Sequence, residues 1–329
     1  MSLKRARITG IGHYLPDYVL RNKELEKLVE TNDEWIRSRT GIAERRILKD
    51  PDKATSYMAE KAAIEAMENA GVDSSEIGAI IVATVTPDYF FPATATLVQR
   101  RIGAVNAYGF DLSAACSGFL YALSTGTTLI ESGHSKKVLV IGADKMSSIV
   151  DWTDRTTCIL FGDAAGAVVL EETEEPGIID FVHHSEGDED CVLYQPAGGS
   201  MNPATEETVN KKMHFIKQEG RAVFKKATEG MADVSLEIME RNNLSSDDVD
   251  WLVPHQANLR IIDATARRMG LDKKKVMINI DKYGNTTAAT IPLCLYDWKD
   301  KLKDGDNLVL SAFGGGLTWG AIYVKWRTS

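Results

Sequence analysis

The sequence predicts an α/β protein built from a duplicated unit, and three observations carry that prediction. Short apolar, β-rich runs alternate with longer helical patterns, which implies strands joined by crossover helices around a largely buried sheet. A set of elements in the first half recurs in the same order in the second. Charged residues interrupt every long apolar stretch, so no window approaches the ~18 apolar residues of a membrane span.

Taken in order, the opening MSLKRARITG passes from two basic residues into a strand-like run. It lacks the apolar core of a signal peptide, and a cytoplasmic protein is expected. Residues 54–70, ending in the Ala-rich AEKAAIEAMENA, predict a helix closed by Gly71. A strand follows at 79–84 (AIIVAT). A helix then ends at Arg100-Arg101-Ile102-Gly103, and a strand leads to Asp111. Next come a helix over 117–132 and strands at 138–142 (VLVIG) and 166–170 (GAVVL). The segment 172–215 is rich in Glu, Asp, His, Gly and Pro and reads as loops and a connector. Helices over 221–242 and 258–269 and strands at 276–280, 307–311 and 320–324 complete the chain. The halves match at three points. Arg267-Arg268-Met269-Gly270 repeats the first helix end, Asp281 repeats Asp111, and GAIYV repeats GAVVL. The distance from Asp111 to Gly142 is 31 residues, and that from Asp281 to Gly314 is 33. An approximate internal two-fold would bring the small-residue turns near Cys116 and Asn285 to one central seam.

The 329 residues are 44% hydrophobic and 26% charged, the balance of an ordinary globular protein. A net charge of -9 argues against a nucleic-acid partner, which would call for a basic field. The four cysteines, Cys116, Cys158, Cys191 and Cys294, lie far apart without a CxxC pair, which argues against a zinc site and against a disulfide framework. Each reads as a reduced thiol, either a small core residue or a nucleophile.

Cys116 sits in DLSAACSGF, between an apolar strand and a helix of small residues. A sulfur near a helix N-terminus is favoured as thiolate, although a buried structural cysteine remains the alternative. His255, in WLVPHQAN, follows a strand end, and Pro254 stiffens the loop that delivers it. Asn285, in YGNTT, lies at another strand-to-helix junction, where a plain turn asparagine is the alternative. Gly314-Gly315-Gly316 leads into a strand, so a phosphate cradle is a poor reading. A backbone passing close to a substrate, with an N–H free for an oxyanion, suits the glycines better. Cys, His and Asn at strand ends fit nucleophilic acyl chemistry, shared by cysteine hydrolases and carbon–carbon-forming acyltransferases.

These motifs resemble one family along nearly the whole chain. TNDEWIRSRTGIAERRI (31–47), DLSAACSGFLYAL (111–123), DRTTCILFGDAAGAVVL (154–170), WLVPHQANLRII (251–262), YGNTTAATIPLCL (283–295) and SAFGGGLTWG (311–320) are similar to the β-ketoacyl-acyl carrier protein synthases III of the thiolase superfamily. The resemblance implies a duplicated, five-layered αβαβα thiolase-like fold and a homodimer. Its half at 1–172 would carry the nucleophilic Cys, and its half at 173–329 the His and Asn. It implies Cys116 as the acyl-carrying nucleophile and His255 with Asn285 as the pair binding the malonyl thioester. The N–H groups of Cys116 and Gly315 become the oxyanion hole. Trp35 and Arg155 would sandwich the adenine of coenzyme A, with Arg39 near its phosphates, and Phe224 and Asn258 would line the pantetheine tunnel. Phe91 would reach across the dimer into the partner's acyl pocket and favour a short primer. Ala43 departs from the family, where arginine is common in GIAER.

The implied reaction is a decarboxylative Claisen condensation of a short acyl-CoA with malonyl-acyl carrier protein, giving a 3-oxoacyl product that starts fatty acid synthesis. His255 Nε2–H and the Asn285 amide would be two neutral donors to the enolate. No metal or redox cofactor is required, and coenzyme A enters as a substrate thioester. An acidic carrier protein calls for a basic patch at the tunnel mouth, with Arg260 the leading candidate. The rival readings are a condensing enzyme of a polyketide-type pathway and a Cys-His-Asn thioester hydrolase.

Overall fold

Continuous apolar runs, buried on both faces of the central strands, build two sheets that share a buried layer of helices. The computed structural model describes residues 4–187 and 190–327. In the first sheet, β1 (Arg5–Tyr14), β2 (Ala79–Ala83), β3 (Tyr108–Leu112), β4 (Lys137–Asp144) and β5 (Ala164–Thr173) lie in the order β1-β5-β4-β2-β3. In the second, β6 (Ile178–Ser185), β7 (Trp251–Pro254), β8 (Asn307–Gly314) and β9 (Thr318–Lys325) lie in the order β6-β9-β8-β7. The pairing senses repeat. β5 runs antiparallel to both β1 and β4, and β4 pairs parallel with β2, just as β9 runs antiparallel to both β6 and β8, and β8 pairs parallel with β7.

The helices of eight or more residues are α1 (Asp33–Thr40), α2 (Thr55–Ala70), α3 (Thr94–Ile102), α4 (Gly118–Glu131), α5 (Gly220–Arg241), α6 (Leu259–Arg268) and α7 (Thr290–Trp298). The period of two along each strand assigns its side chains to layers. Ile80 and Val82 of β2 face α2 and α3, whereas Ile81 joins Phe119 and Leu120 of α4 in the centre. In β8, Leu308 and Leu310 face that same central layer with Ile291 and Leu295 of α7, and Val309 faces Ile238 of α5 and Ile262 of α6. The result is the five-layered αβαβα arrangement that the family resemblance implies. The small residues of α2 serve close packing: a Cβ on Gly10 or Gly12 of β1 would lie 2.2 Å from the carbonyl oxygen of Ala66 or Ala62. Gly71 closes α2 in the left-handed region at φ +66°, as its C-cap position predicts.

Two expectations fail. Residues 276–280 form no strand. They touch the second sheet through a single parallel bridge, Leu252 to Val276, where the first sheet has its full edge strand β3. The buried Gln256 side chain explains the loss: it accepts from the N–H groups of Asn279 and Ile280 and donates to the Met277 carbonyl, in place of a ladder. The segment 172–215 is more than a connector, because it contains β6, which pairs with β9 at the edge of the second sheet. Its polar residues, among them Asp180, His183 and His184, hid a strand of which only Ile178 and Val182 are buried. Among the described residues, no helix is long and apolar enough to cross a membrane.

Candidate active site

Two short turns at the seam between the halves carry the expected chemistry. The first is a 3₁₀ turn, Ala115–Ser117, which follows β3 and feeds α4, and it holds Cys116. The second, Thr287–Ala289, follows Asn285 and feeds α7. Both begin with a side-chain-bearing residue at positive φ, Ala115 at +45° and Thr287 at +54°. Each such residue costs about 1–2 kcal/mol, so packing around the seam must hold it in place. That packing comes from the matched glycines. A Cβ on Gly314, at the end of β8, would stand 2.7 Å from the backbone nitrogen of Cys116. A Cβ on Gly142, in β4, would stand 2.3 Å from the carbonyl oxygen of Ala288. Each half's glycine therefore seats the other half's turn.

A cavity of about 380 Å³ opens on this seam, lined by Cys116, His255 and Asn285 together with Gly314, Gly315 and Gly316. His255 is 1% exposed, and its backbone N–H donates to the Ser311 carbonyl at 2.8 Å. Its Nδ1 pairs with Thr290 Oγ1 at 2.7 Å, and no group among the described residues partners Nε2. Burial pushes the imidazole down to about 3, so it is neutral at physiological pH. Asn285 is fixed at both ends: its N–H donates to Leu160 O at 2.9 Å, and its Oδ1 accepts from Thr287 N at 2.9 Å. With Oδ1 occupied, the amide NH₂ is the end left to donate.

The enclosure of Cys116 works against the thiolate character expected from the helix N-terminus. Burial pushes the thiol up to about 12, and the Asp144 carboxylate adds repulsion. Bonds from the Cys116 N–H and the Asn285 side chain oppose this without overcoming it. Desolvation outweighs a few partial charges when the group is fully enclosed. Asp144 is itself a residue that the sequence reading missed. It is buried at the end of β4 and its Oδ1 accepts from Thr84, Val85 and Thr86, while burial raises its carboxyl to about 6. Thr290 and Gln256 were also missed, although both lie inside the quoted motifs, YGNTTAAT and PHQAN.

The outer positions divide into two groups. Phe224 and Asn258 line the same cavity as Cys116. Arg260 lies beside them, its guanidinium 5.0 Å from the Phe224 ring centroid. Asn258 caps α6 by accepting from Arg260 N at 2.9 Å, and its amide donates to the Arg39 carbonyl at 3.0 Å, which ties α1 to α6. Trp35, Arg39 and Arg155 are outside the cavity lining. The Arg155 guanidinium rests 5.0 Å over the Trp35 ring and donates to Glu30 O at 3.0 Å. A planar ring stacked between two others needs roughly 7 Å, so the 5.0 Å between Arg155 and Trp35 leaves no room for one as they stand. Phe91 is 86% exposed, with Phe90 at 84% beside it, and does not line the cavity of its own chain. Among the described residues, no group of three or more His, Cys, Asp or Glu side chains is arranged to hold a metal ion.

Comparison with known proteins places the chain and its fold in one family. Residues 110–187 match the family model for 3-oxoacyl-[acyl-carrier-protein] synthase III, and residues 239–326 match the model for its C-terminal part. The β-ketoacyl-[acyl-carrier-protein] synthase III of Chlorobium chlorochromatii is 60% identical over 328 residues, covering 98% of this chain and 100% of that protein. That of Porphyromonas gingivalis is 54% identical over 327 residues, covering 99% and 98%. The crystal structure of the synthase III from Aquifex aeolicus superposes with a TM-score of 0.90 at 45% identity, covering 98% and 100%. A priming β-ketosynthase of a polyketide pathway superposes at 0.91 with 34% identity, covering 98% and 96%.

Proposed function

The chain belongs to the β-ketoacyl-acyl carrier protein synthase III family of condensing acyltransferases, and we propose that its seam cavity joins a short acyl group from acyl-CoA to malonyl-acyl carrier protein. In the first half-reaction Cys116 takes the acyl group, with the N–H groups of Cys116 and Gly315 binding the oxyanion. In the second, the malonyl group loses CO₂, and Asn285 and His255 hold the enolate oxygen. Removing one such donor typically costs 10²–10³ in rate. The enolate carbon then attacks the acyl-Cys116 thioester. The half at 1–172 supplies the nucleophile, and the half at 173–329 supplies the His and Asn. The substrates' own thioesters carry the chemistry, so the reading calls for no metal or redox group.

The single observation that carries this reading is the meeting of Cys116, His255 and Asn285 in one cavity from two separate halves. The Asn285 position separates the reading from a hydrolase. In a Cys-His-Asn hydrolase the asparagine orients the histidine, but here Thr290 holds His255 Nδ1 and the Asn285 amide is turned to the reacting thiol. Coenzyme A enters past Phe224 and Asn258, with Trp35, Arg155 and Arg39 at its nucleotide end and Arg260 facing the carrier. Phe91, exposed in one subunit, enters the acyl pocket of a second in a cytoplasmic homodimer. The test is the mass of the product from acetyl-CoA and malonyl-carrier protein. A 3-oxobutyryl carrier is expected, and release of free acetate without malonyl consumption would overturn the reading.

A further inference from the structure

The hydrogen bonds around His255 fix which ring nitrogen carries the proton. Thr290 Oγ1 stands 2.7 Å from His255 Nδ1 and 3.1 Å from the Thr287 carbonyl oxygen. A hydroxyl has one proton to give. If it goes to the carbonyl, which can only accept, the oxygen accepts from Nδ1–H and every group in the chain is satisfied. If it goes to Nδ1, the Thr287 carbonyl loses that donor and Nε2 carries an N–H without an acceptor among the described residues. Buried N–H groups without a partner are rarer than buried lone pairs without one. Thr290 is 2% exposed, so the choice is made away from solvent.

We propose that Thr290 is a positioning residue that locks His255 in its Nδ1–H tautomer, making Nε2 the single proton port of the cavity. This deepens the condensing reading, since it takes Cys116 as the acyl carrier. In the acylation half, the Cys116 S–H proton passes to Nε2 as the sulfur bonds to the acyl carbon. The carbon–sulfur bond to coenzyme A then breaks, and its sulfur takes the proton from Nε2. No net proton moves. In the condensing half, the C–CO₂ bond breaks, its electron pair forms the enolate, and the new C–C bond expels Cys116 as thiolate. One proton from water is needed to restore the thiol. With Nδ1 occupied, it enters at Nε2, where the arriving malonyl carboxylate favours it. It bonds the enolate oxygen and is finally handed to the Cys116 sulfur. The two neutral donors expected from the resemblance thus become one fixed donor, Asn285, and one that is loaded in each cycle.

The test is ¹⁵N NMR of the full-length protein labelled at its six histidines, with His255 identified by the signals lost in His255→Asn. The wild type should show a protonated, pyrrole-type Nδ1 and a pyridine-type Nε2. Thr290→Val keeps the shape and removes the hydroxyl. It should shift the ring toward Nε2–H and slow Cys116 acylation by acetyl-CoA about 10²-fold, while Thr290→Ser restores both. A pyridine-type Nδ1 in the wild type would overturn the proposal, as would Thr290→Val with an unchanged tautomer or unchanged acylation. Should Thr290→Val not fold, the wild-type and Thr290→Ser spectra decide by the same signature. The condensing reading stands or falls separately, on the product of the wild-type enzyme.

Discussion

The turn holding Cys116 and the turn beyond Asn285 are one device built twice. Each begins at positive φ, each is a 3₁₀ turn feeding a central helix, and each is pressed by a glycine from the other half's sheet. Their chemistry nevertheless differs. The first turn holds at its centre a thiol so enclosed that burial raises it to about 12. The second spends its Thr287 N–H on the Asn285 side chain, leaving that amide as a donor. Duplication supplied the geometry, and the residue at each turn set whether it offers a nucleophile or a hydrogen bond. The second copy also lost its edge strand at 276–280, where Gln256 replaces the ladder and anchors the loop that delivers His255.

Separating the two half-reactions is the hardest test of this contrast. Cys116→Ala should abolish covalent loading from radiolabelled acetyl-CoA while malonyl decarboxylation persists, because His255 and Asn285 remain. Asn285→Ala should do the reverse, lowering decarboxylation by about 10²–10³ with loading less affected. If both variants lost both steps equally, the turns would not have divided the labour.

Crossed substitutions at the seating glycines sharpen the same point with a smaller effect. Gly314→Ala places a Cβ against the Cys116 backbone, and Gly142→Ala places one against the Ala288 carbonyl. Neither obstacle is the end of a flexible side chain, so overpacking of about 1–3 kcal/mol is expected in denaturant unfolding. The losses should also cross over: Gly314→Ala should slow Cys116 loading more, and Gly142→Ala should slow decarboxylation more. Equal effects on both steps would mean that the glycines merely fill the core.

The legible parts of the molecule were those written in local pattern. The helices over 54–70, 221–242 and 258–269 appear within a residue or so of their expected bounds, because 3.6-residue periodicity and the Gly71 cap are local signals. The 31 residues from Asp111 to Gly142 and the 33 from Asp281 to Gly314, with the other matched elements, carry the duplication and its central seam in the sequence itself. What stayed hidden depends on partners distant in the chain. β6 looked like a connector because its pairing with β9 lies some 140 residues away. The thiol at Cys116 looked activated because its position at a helix start is local, whereas the burial and the Asp144 charge that oppose activation come from the fold. Thr290 sat inside a quoted motif, but its role follows only from where α7 places its hydroxyl.

The contrast between the two turns concerns chemistry common to every substrate; primer choice should come from elsewhere. Phe91 belongs to neither turn and is 86% exposed, beside Phe90 at 84% and Tyr89 at 61%. Three neighbouring aromatic rings this exposed call for a covering surface, and the proposed homodimer provides one at the partner's acyl pocket. A phenylalanine closing that pocket leaves room for acetyl and collides with a branched acyl group, at about 1–3 kcal/mol or roughly 5- to 150-fold in preference. Phe91→Ala should therefore lower the kcat/KM ratio of acetyl-CoA to isobutyryl-CoA by a factor within that range. Malonyl decarboxylation should change little, because Asn285 and His255 are untouched. If Phe91 only packs between subunits, its truncation should weaken the dimer and leave the ratio alone. The two accounts part when dimer mass and the primer ratio are measured on the same preparation: an unchanged ratio in an intact dimer would return specificity to the cavity walls of a single chain.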